Sequence, residues 1–129
     1  MAVPTKRLII FEDSAQFTRR LQALLAEVES LEIVAVVPGS LDAVELLRRH
    51  QPDCLLIDMF LAEGAGLDVL RAMTALSYKP LAVIMTSEPS EELESMCRIL
   101  GADSFVDKAH DFHRILEIFD PRLPHNRAA

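Results

Sequence analysis

The chain has 129 residues, half of them apolar, which suits one domain that buries roughly two-thirds of its unfolded surface. With 20 acidic residues against 13 Lys plus Arg it carries a formal charge of -7 and no basic cluster, so direct nucleic-acid binding is not expected. Every apolar run is broken well short of the ~18 residues a membrane helix needs, and Met1-Ala2-Val3-Pro4-Thr5 lacks a signal-peptide core, so a soluble, cytoplasmic protein without membrane contact is expected.

Short apolar runs alternate with amphipathic ones along the chain. Arg7-Leu8-Ile9-Ile10-Phe11 reads as a strand ending in Glu12-Asp13, and Ser14 stands where a helix N-cap would. Phe17, Leu21, Leu24, Leu25 and Val28 then mark one stripe of a helix of about four turns, with Arg19, Arg20 and Glu27 turned to water. Ile33 to Val37 reads as a second strand, and Pro38-Gly39-Ser40 turns the chain into a helix from about Leu41 to His50 whose buried stripe is Val44 and Leu47, with Ala43 and Leu46 beside them. Asp53-Cys54-Leu55-Leu56-Ile57-Asp58 is mostly apolar and opened by Pro52, the signature of a strand buried on both faces. A helix from Gly66 to Leu76 follows.

Leu81 to Met85 forms a fourth strand ending in Thr86-Ser87. Leu93, Met96, Cys97 and Leu100 mark the next helix, with Gly101 as its stop. Ser104-Phe105-Val106 is a brief fifth strand ending in Asp107-Lys108. Phe112, Ile115, Leu116 and Phe119 mark a last helix, stopped by Pro121 and Pro124, and residues 121 to 129 read as a loose tail. Five strands alternating with five helices through short connections imply an α/β three-layer sandwich with a parallel sheet, because each parallel crossover needs a helix and is right-handed. Cys54 and Cys97 have neither metal-ligand nor disulfide spacing and read as inert core thiols. His110 and His113 on the last helix lack a third ligand and read as a wet face.

The strands' carboxyl ends carry the chemistry: Glu12 and Asp13 after the first, Asp58 after the third, Thr86 after the fourth and Lys108 after the fifth. In a sheet ordered 2-1-3-4-5, the edge at which open α/β sheets bind ligands brings these side chains towards one pocket. Three crowded carboxylates repel unless a cation compensates. Hard oxygen ligands with open water positions suit Mg²⁺, whose free sites accept phosphoryl oxygens. Lys108 adds positive charge and Thr86 a hydroxyl donor. Such a pocket suits phosphoryl transfer to a carboxylate oxygen.

On these residues, together with Gly66, Val83-Ile84-Met85-Thr86 and the run Gly101-Ala102-Asp103-Ser104-Phe105-Val106-Asp107-Lys108, the chain resembles a response-regulator receiver domain of the stand-alone chemotaxis type. The resemblance spans about residues 6 to 119 of one receiver domain covering 1 to 129. It implies the flavodoxin-like fold and Asp58 as the phospho-acceptor. It also implies Mg²⁺ held by Asp13, Asp58 and the Phe60 carbonyl, with Glu12 acting through a bound water, and Lys108 paired with the phosphoryl group. Thr86 and Phe105 would form the switch, the hydroxyl swinging to the phosphoryl group and the ring turning into the vacated space. The implied partners are a histidine kinase or phosphotransfer protein and a downstream protein effector, with the chain a monomer or weak dimer. It would catalyse its own phosphotransfer and dephosphorylation and turn over no free substrate.

Where that family often has proline after the lysine this chain has Ala109, which predicts a trans peptide. Ala62, where proline is common, predicts a more mobile loop through Glu63-Gly64-Ala65. Phe60 and Glu88 occupy positions that tune phosphoryl lifetime, and Phe60 is expected to shield the acyl phosphate from water. Two other readings stand beside this one. A flavodoxin-like ligand or nucleotide binder would use the same edge, although Gly64-Ala65-Gly66 is only part of a dinucleotide fingerprint and follows the third strand. A degenerate receiver would act as a constitutive interaction module.

Overall fold

The computed structural model describes residues 5–123. Five strands, β1 (Lys6–Phe11), β2 (Leu31–Val37), β3 (Cys54–Asp58), β4 (Leu81–Thr86) and β5 (Ser104–Asp107), alternate with helices α1 (Ala15–Leu25), α2 (Ala43–His50), α3 (Gly66–Ala72), α4 (Glu91–Ile99) and α5 (Arg114–Phe119). The sheet order is β2-β1-β3-β4-β5, and every pairing is parallel. This is the flavodoxin-like arrangement expected from the sequence.

The period of two along each strand divides the core into two layers. Ile9, Phe11, Leu55, Ile57, Ala82, Ile84 and Phe105 pack with Ala43, Leu47, Val69, Leu70 and Cys97 of α2, α3 and α4. Leu8, Ile10, Leu56, Val83, Met85 and Val106 pack with Phe17, Leu21, Leu24, Ile115, Leu116 and Phe119 of α1 and α5. β3 is buried at all of its positions, so its continuous apolar run follows from having a helix layer on each face.

Several local expectations shift. α2 begins at Ala43, two residues after the expected start, and turns Ala43 and Leu47 inward, while Val44 is 38% exposed; the buried stripe keeps Leu47 and takes Ala43, four residues before it, in place of Val44. In α4 only Cys97 is fully buried and Met96 is exposed. The helical stretch after Gly66 splits into α3 and a 3₁₀ turn, Met73–Ala75. α1 ends at Leu25, so Val28 reaches the core from a turn. α5 begins only at Arg114, which leaves His110 and His113 in the preceding segment rather than on the helix.

Gly101 does stop α4: it adopts φ +109°, and the N–H groups of Gly101 and Ala102 donate to the carbonyls of Arg98 and Cys97, closing the helix in a Schellman motif. Of the supposed loose tail, residues 121–123 are held: Arg122 pairs with Asp120 at 2.8 Å and donates to the Glu27 carbonyl at 3.2 Å. The rest of that stretch, Pro124 included, lies outside the described residues.

Candidate functional site

The site forms at the edge of the sheet where β1 and β3 end side by side, with β5 ending one strand further on, beyond β4. The Glu12 N–H extends the ladder to the Val37 carbonyl at 2.9 Å, after which the chain turns, and the Ser14 hydroxyl accepts from the Phe17 N–H at 3.1 Å to start α1. Glu12 thus points into the fold with its side chain 0% exposed, while Asp13 faces outward. Asp58 is the last residue of β3 and is buried. The Lys108 N–H donates to the Thr86 carbonyl at 2.9 Å, so its side chain starts level with the end of β4.

Carboxylate oxygens of Glu12, Asp13 and Asp58 lie within 4.8 Å of one another, a set of hard oxygen donors able to hold a divalent cation. The Lys108 ammonium bridges two of them, at 2.8 Å from Glu12 Oε1 and 3.2 Å from Asp58 Oδ2. The second oxygens are also engaged: Glu12 Oε2 accepts from the Ser14 N–H at 3.0 Å and Asp58 Oδ1 from the Phe60 N–H at 3.3 Å. Burial raises the Glu12 pKa above the ordinary 4.5, and the Asp58 charge adds to the rise, against the lowering effect of the Lys108 and Ser14 hydrogen bonds. One lysine among crowded acids leaves negative charge unbalanced, which suits a further cation.

A family model for the response regulator receiver domain matches residues 8–120. The chain belongs to that family. This receiver is 34% identical over 103 residues to the protein-glutamate methylesterase/protein-glutamine glutaminase 5 of Myxococcus xanthus, covering 79% of the chain and 30% of that protein. It is 25% identical over 115 residues to the probable C4-dicarboxylate response regulator DctR of Priestia megaterium, covering 88% of the chain and 50% of that protein. The chain therefore spans half or less of these curated relatives. Its fold matches that of a solved CheX-CheY-BeF3-Mg+2 complex from Borrelia burgdorferi with a TM-score of 0.78 at 20% identity, covering 88% of this chain and 85% of that one.

Within the receiver, Glu12, Asp13, Asp58 and Lys108 converge as the strand ends implied. Thr86 also ends its strand and is fully buried, but its Oγ1 accepts from the Glu88 N–H at 3.1 Å. Phe105 is paired with Ile84 in the β4–β5 register and is only 7% exposed, in the layer with Met59 and Cys97. Phe60, two residues after Asp58, is 53% exposed. The Lys108–Ala109 peptide is trans, and Asp107 Oδ1 accepts the N–H groups of Ala109 and His110 at 2.9 and 3.1 Å, which shapes the backbone after the lysine. The loop expected to be loose at Ala62 is tied: the Ser40 N–H donates to the Glu63 carbonyl at 3.0 Å, and the Ala65 N–H donates to Ser40 Oγ at 3.2 Å and Asp68 Oδ2 at 3.0 Å.

The other candidate groups fall away. His110 Nδ1 lies 3.0 Å from Asp107 Oδ2, a hydrogen bond that helps hold the Asp107 pKa below its ordinary value. Burial pushes the Cys54 thiol up to about 12 and raises that of Cys97, so neither is a ready nucleophile. Gly66, already singled out by the resemblance, has a packing role at the site, and Phe17 was not foreseen. Gly66 packs against the Asp58 backbone: a Cβ there would lie 2.7 Å from the Asp58 carbonyl oxygen and 3.0 Å from Met59 Cα. Phe17 had the pattern of a core residue, yet its ring centroid is 4.1 Å from Lys108 Nζ. Its place one helical turn after Ser14, beside the acid pair, was the available signal.

Proposed function

We propose that this receiver accepts a phosphoryl group on Asp58 from the phosphohistidine of a histidine kinase or phosphotransfer protein, and passes the signal to a protein effector by contact. In the transfer an Asp58 carboxylate oxygen forms the new P–O bond as the P–N bond breaks and the imidazole leaves. Glu12, Asp13 and Asp58, with the Phe60 carbonyl, would hold Mg²⁺. The ion supplies positive charge to the phosphoryl oxygens. Lys108 orients the acceptor and pairs with the phosphoryl group, Thr86 and Phe105 respond as the switch, and Phe60 shields the product from water. The observation that carries this reading is the buried Lys108 ammonium bridging Glu12 and Asp58 at the edge where Asp13 also converges.

Incubation with acetyl phosphate and Mg²⁺, followed by intact-mass measurement, tests it. One phosphoryl group is expected on the unsubstituted protein and none on Asp58→Asn. No Asp58-dependent gain would leave the constitutive interaction module as the better reading, a reading that the already buried Phe105 ring favours.

A further inference from the structure

Lys108 has a third partner. Its ammonium carries three N–H donors; Glu12 Oε1 and Asp58 Oδ2 accept at 2.8 and 3.2 Å, and the Phe17 ring lies 4.1 Å from the nitrogen. The lysine side chain is only 12% exposed, so little water competes, the condition under which a ring face attracts a cation most strongly. The ring is itself held in place. Its residue's N–H is tied to Ser14 Oγ, Phe112 packs edge-on with centroids 5.5 Å apart at 74°, and the Arg20 guanidinium sits 4.3 Å from the Phe112 centroid and 5.4 Å from that of Phe17.

We propose that Phe17 is a positioning residue that holds the Lys108 ammonium at the Asp58 carboxylate through a cation–π contact. The role rests on the reading of Asp58 as phospho-acceptor. Glu12 and Asp58 also belong to the oxygen cluster suited to a metal, so the grip of either on Lys108 changes with the charge placed beside it. The ring ligates no metal and carries no titrating proton, and its attraction for the ammonium persists through such changes. A leucine would fill much of the same space without a negative face to offer.

A fluorine series separates the two possibilities, because successive fluorination of the ring drains its negative face while nearly preserving its shape. Mono- and trifluorophenylalanine are placed at position 17 of the full chain, and the initial rate of Asp58-dependent mass gain from acetyl phosphate with Mg²⁺ is measured. A stepwise fall reaching about tenfold is expected, with Phe17→Leu similarly slow and Phe17→Tyr close to the unsubstituted rate. In the protein without phosphodonor, the Lys108 Hε protons should resonate upfield from the ring current, and the shift should vanish in Phe17→Leu. A flat fluorine series in a protein that is phosphorylated, or unshifted Hε protons, overturns the positioning role alone. If the unsubstituted protein gains no phosphoryl group, the functional reading falls and the positioning role falls with it, even where the ring-current shift is present.

Discussion

Two lysine–carboxylate contacts at opposite ends of the sheet look alike by distance and differ in everything else. Lys79 meets Asp103 at 2.7 Å where β4 and β5 begin, with the two side chains 49% and 39% exposed. Lys108 meets Glu12 at 2.8 Å and Asp58 at 3.2 Å where β1, β3 and β5 end, nearly out of water. Asp103 also accepts the Ala82 N–H at 2.8 Å, so it serves as a backbone clip at the start of β4. The shorter contact is the weaker one in consequence, since water screens an exposed pair to about 0–1 kcal/mol, whereas a buried charge that loses its partner is costly. Burial, and not closeness, marks the end of the sheet suited to chemistry.

The largest test of this contrast is Lys108→Met, which leaves two buried carboxylates without their shared cation. A loss of about 3 kcal/mol in urea unfolding at neutral pH is expected, together with loss of most phosphoryl uptake by intact mass. Gly66→Ala perturbs the same end without altering any charge, by driving a methyl against the Asp58 and Met59 backbone. It should cost about 2 kcal/mol and slow phosphorylation, whereas a fully active variant would show that the Asp58 backbone tolerates displacement.

A gentler probe is Glu12→Gln. An acid whose pKa is raised in the folded protein contributes stability that is present below the unfolded value, ordinarily 4.5, and lost as pH rises through the folded value. The substitution removes that loss, so the stability of Glu12→Gln relative to the unsubstituted protein should increase as pH rises above the unfolded value, read as the difference between their urea midpoints. The smallest effect belongs to Lys79→Met, expected to change stability by less than about 1 kcal/mol and to leave phosphorylation unaltered. If it cost as much as Lys108→Met, the contrast between the two ends would collapse.

Much of the site could be read before folding was considered, for a simple reason. A parallel strand places its last residue at a common edge, so an acid or lysine closing an apolar run advertises its position, and Glu12, Asp13, Asp58 and Lys108 all did so. Thr86 was equally visible by position, but its oxygen is engaged with the Glu88 N–H, a local turn contact that no strand pattern encodes. Phe17 was hidden by its own fitness as a core residue: a helical stripe says that a side chain is buried, not which neighbour it meets. Val44 was misplaced because Ala43 and Val44 both lie one turn from Leu47, so periodicity alone does not choose between them; the packing of Ala43 and Leu47 into the layer of Val69 and Leu70 does.

The sequence by itself determined the alternation of strands and helices, the parallel sheet, and Asp58 as the carboxylate at its edge, because apolar periodicity and strand ends are local properties carried by neighbouring residues. Only the tertiary structure decided how the charges are partnered. That Lys108 bridges Glu12 and Asp58, with Phe17 against its ammonium, depends on contacts between residues as much as 96 positions apart. Such contacts are set by strand order, burial and the dielectric they create, which exist only once both helix layers have closed over the sheet.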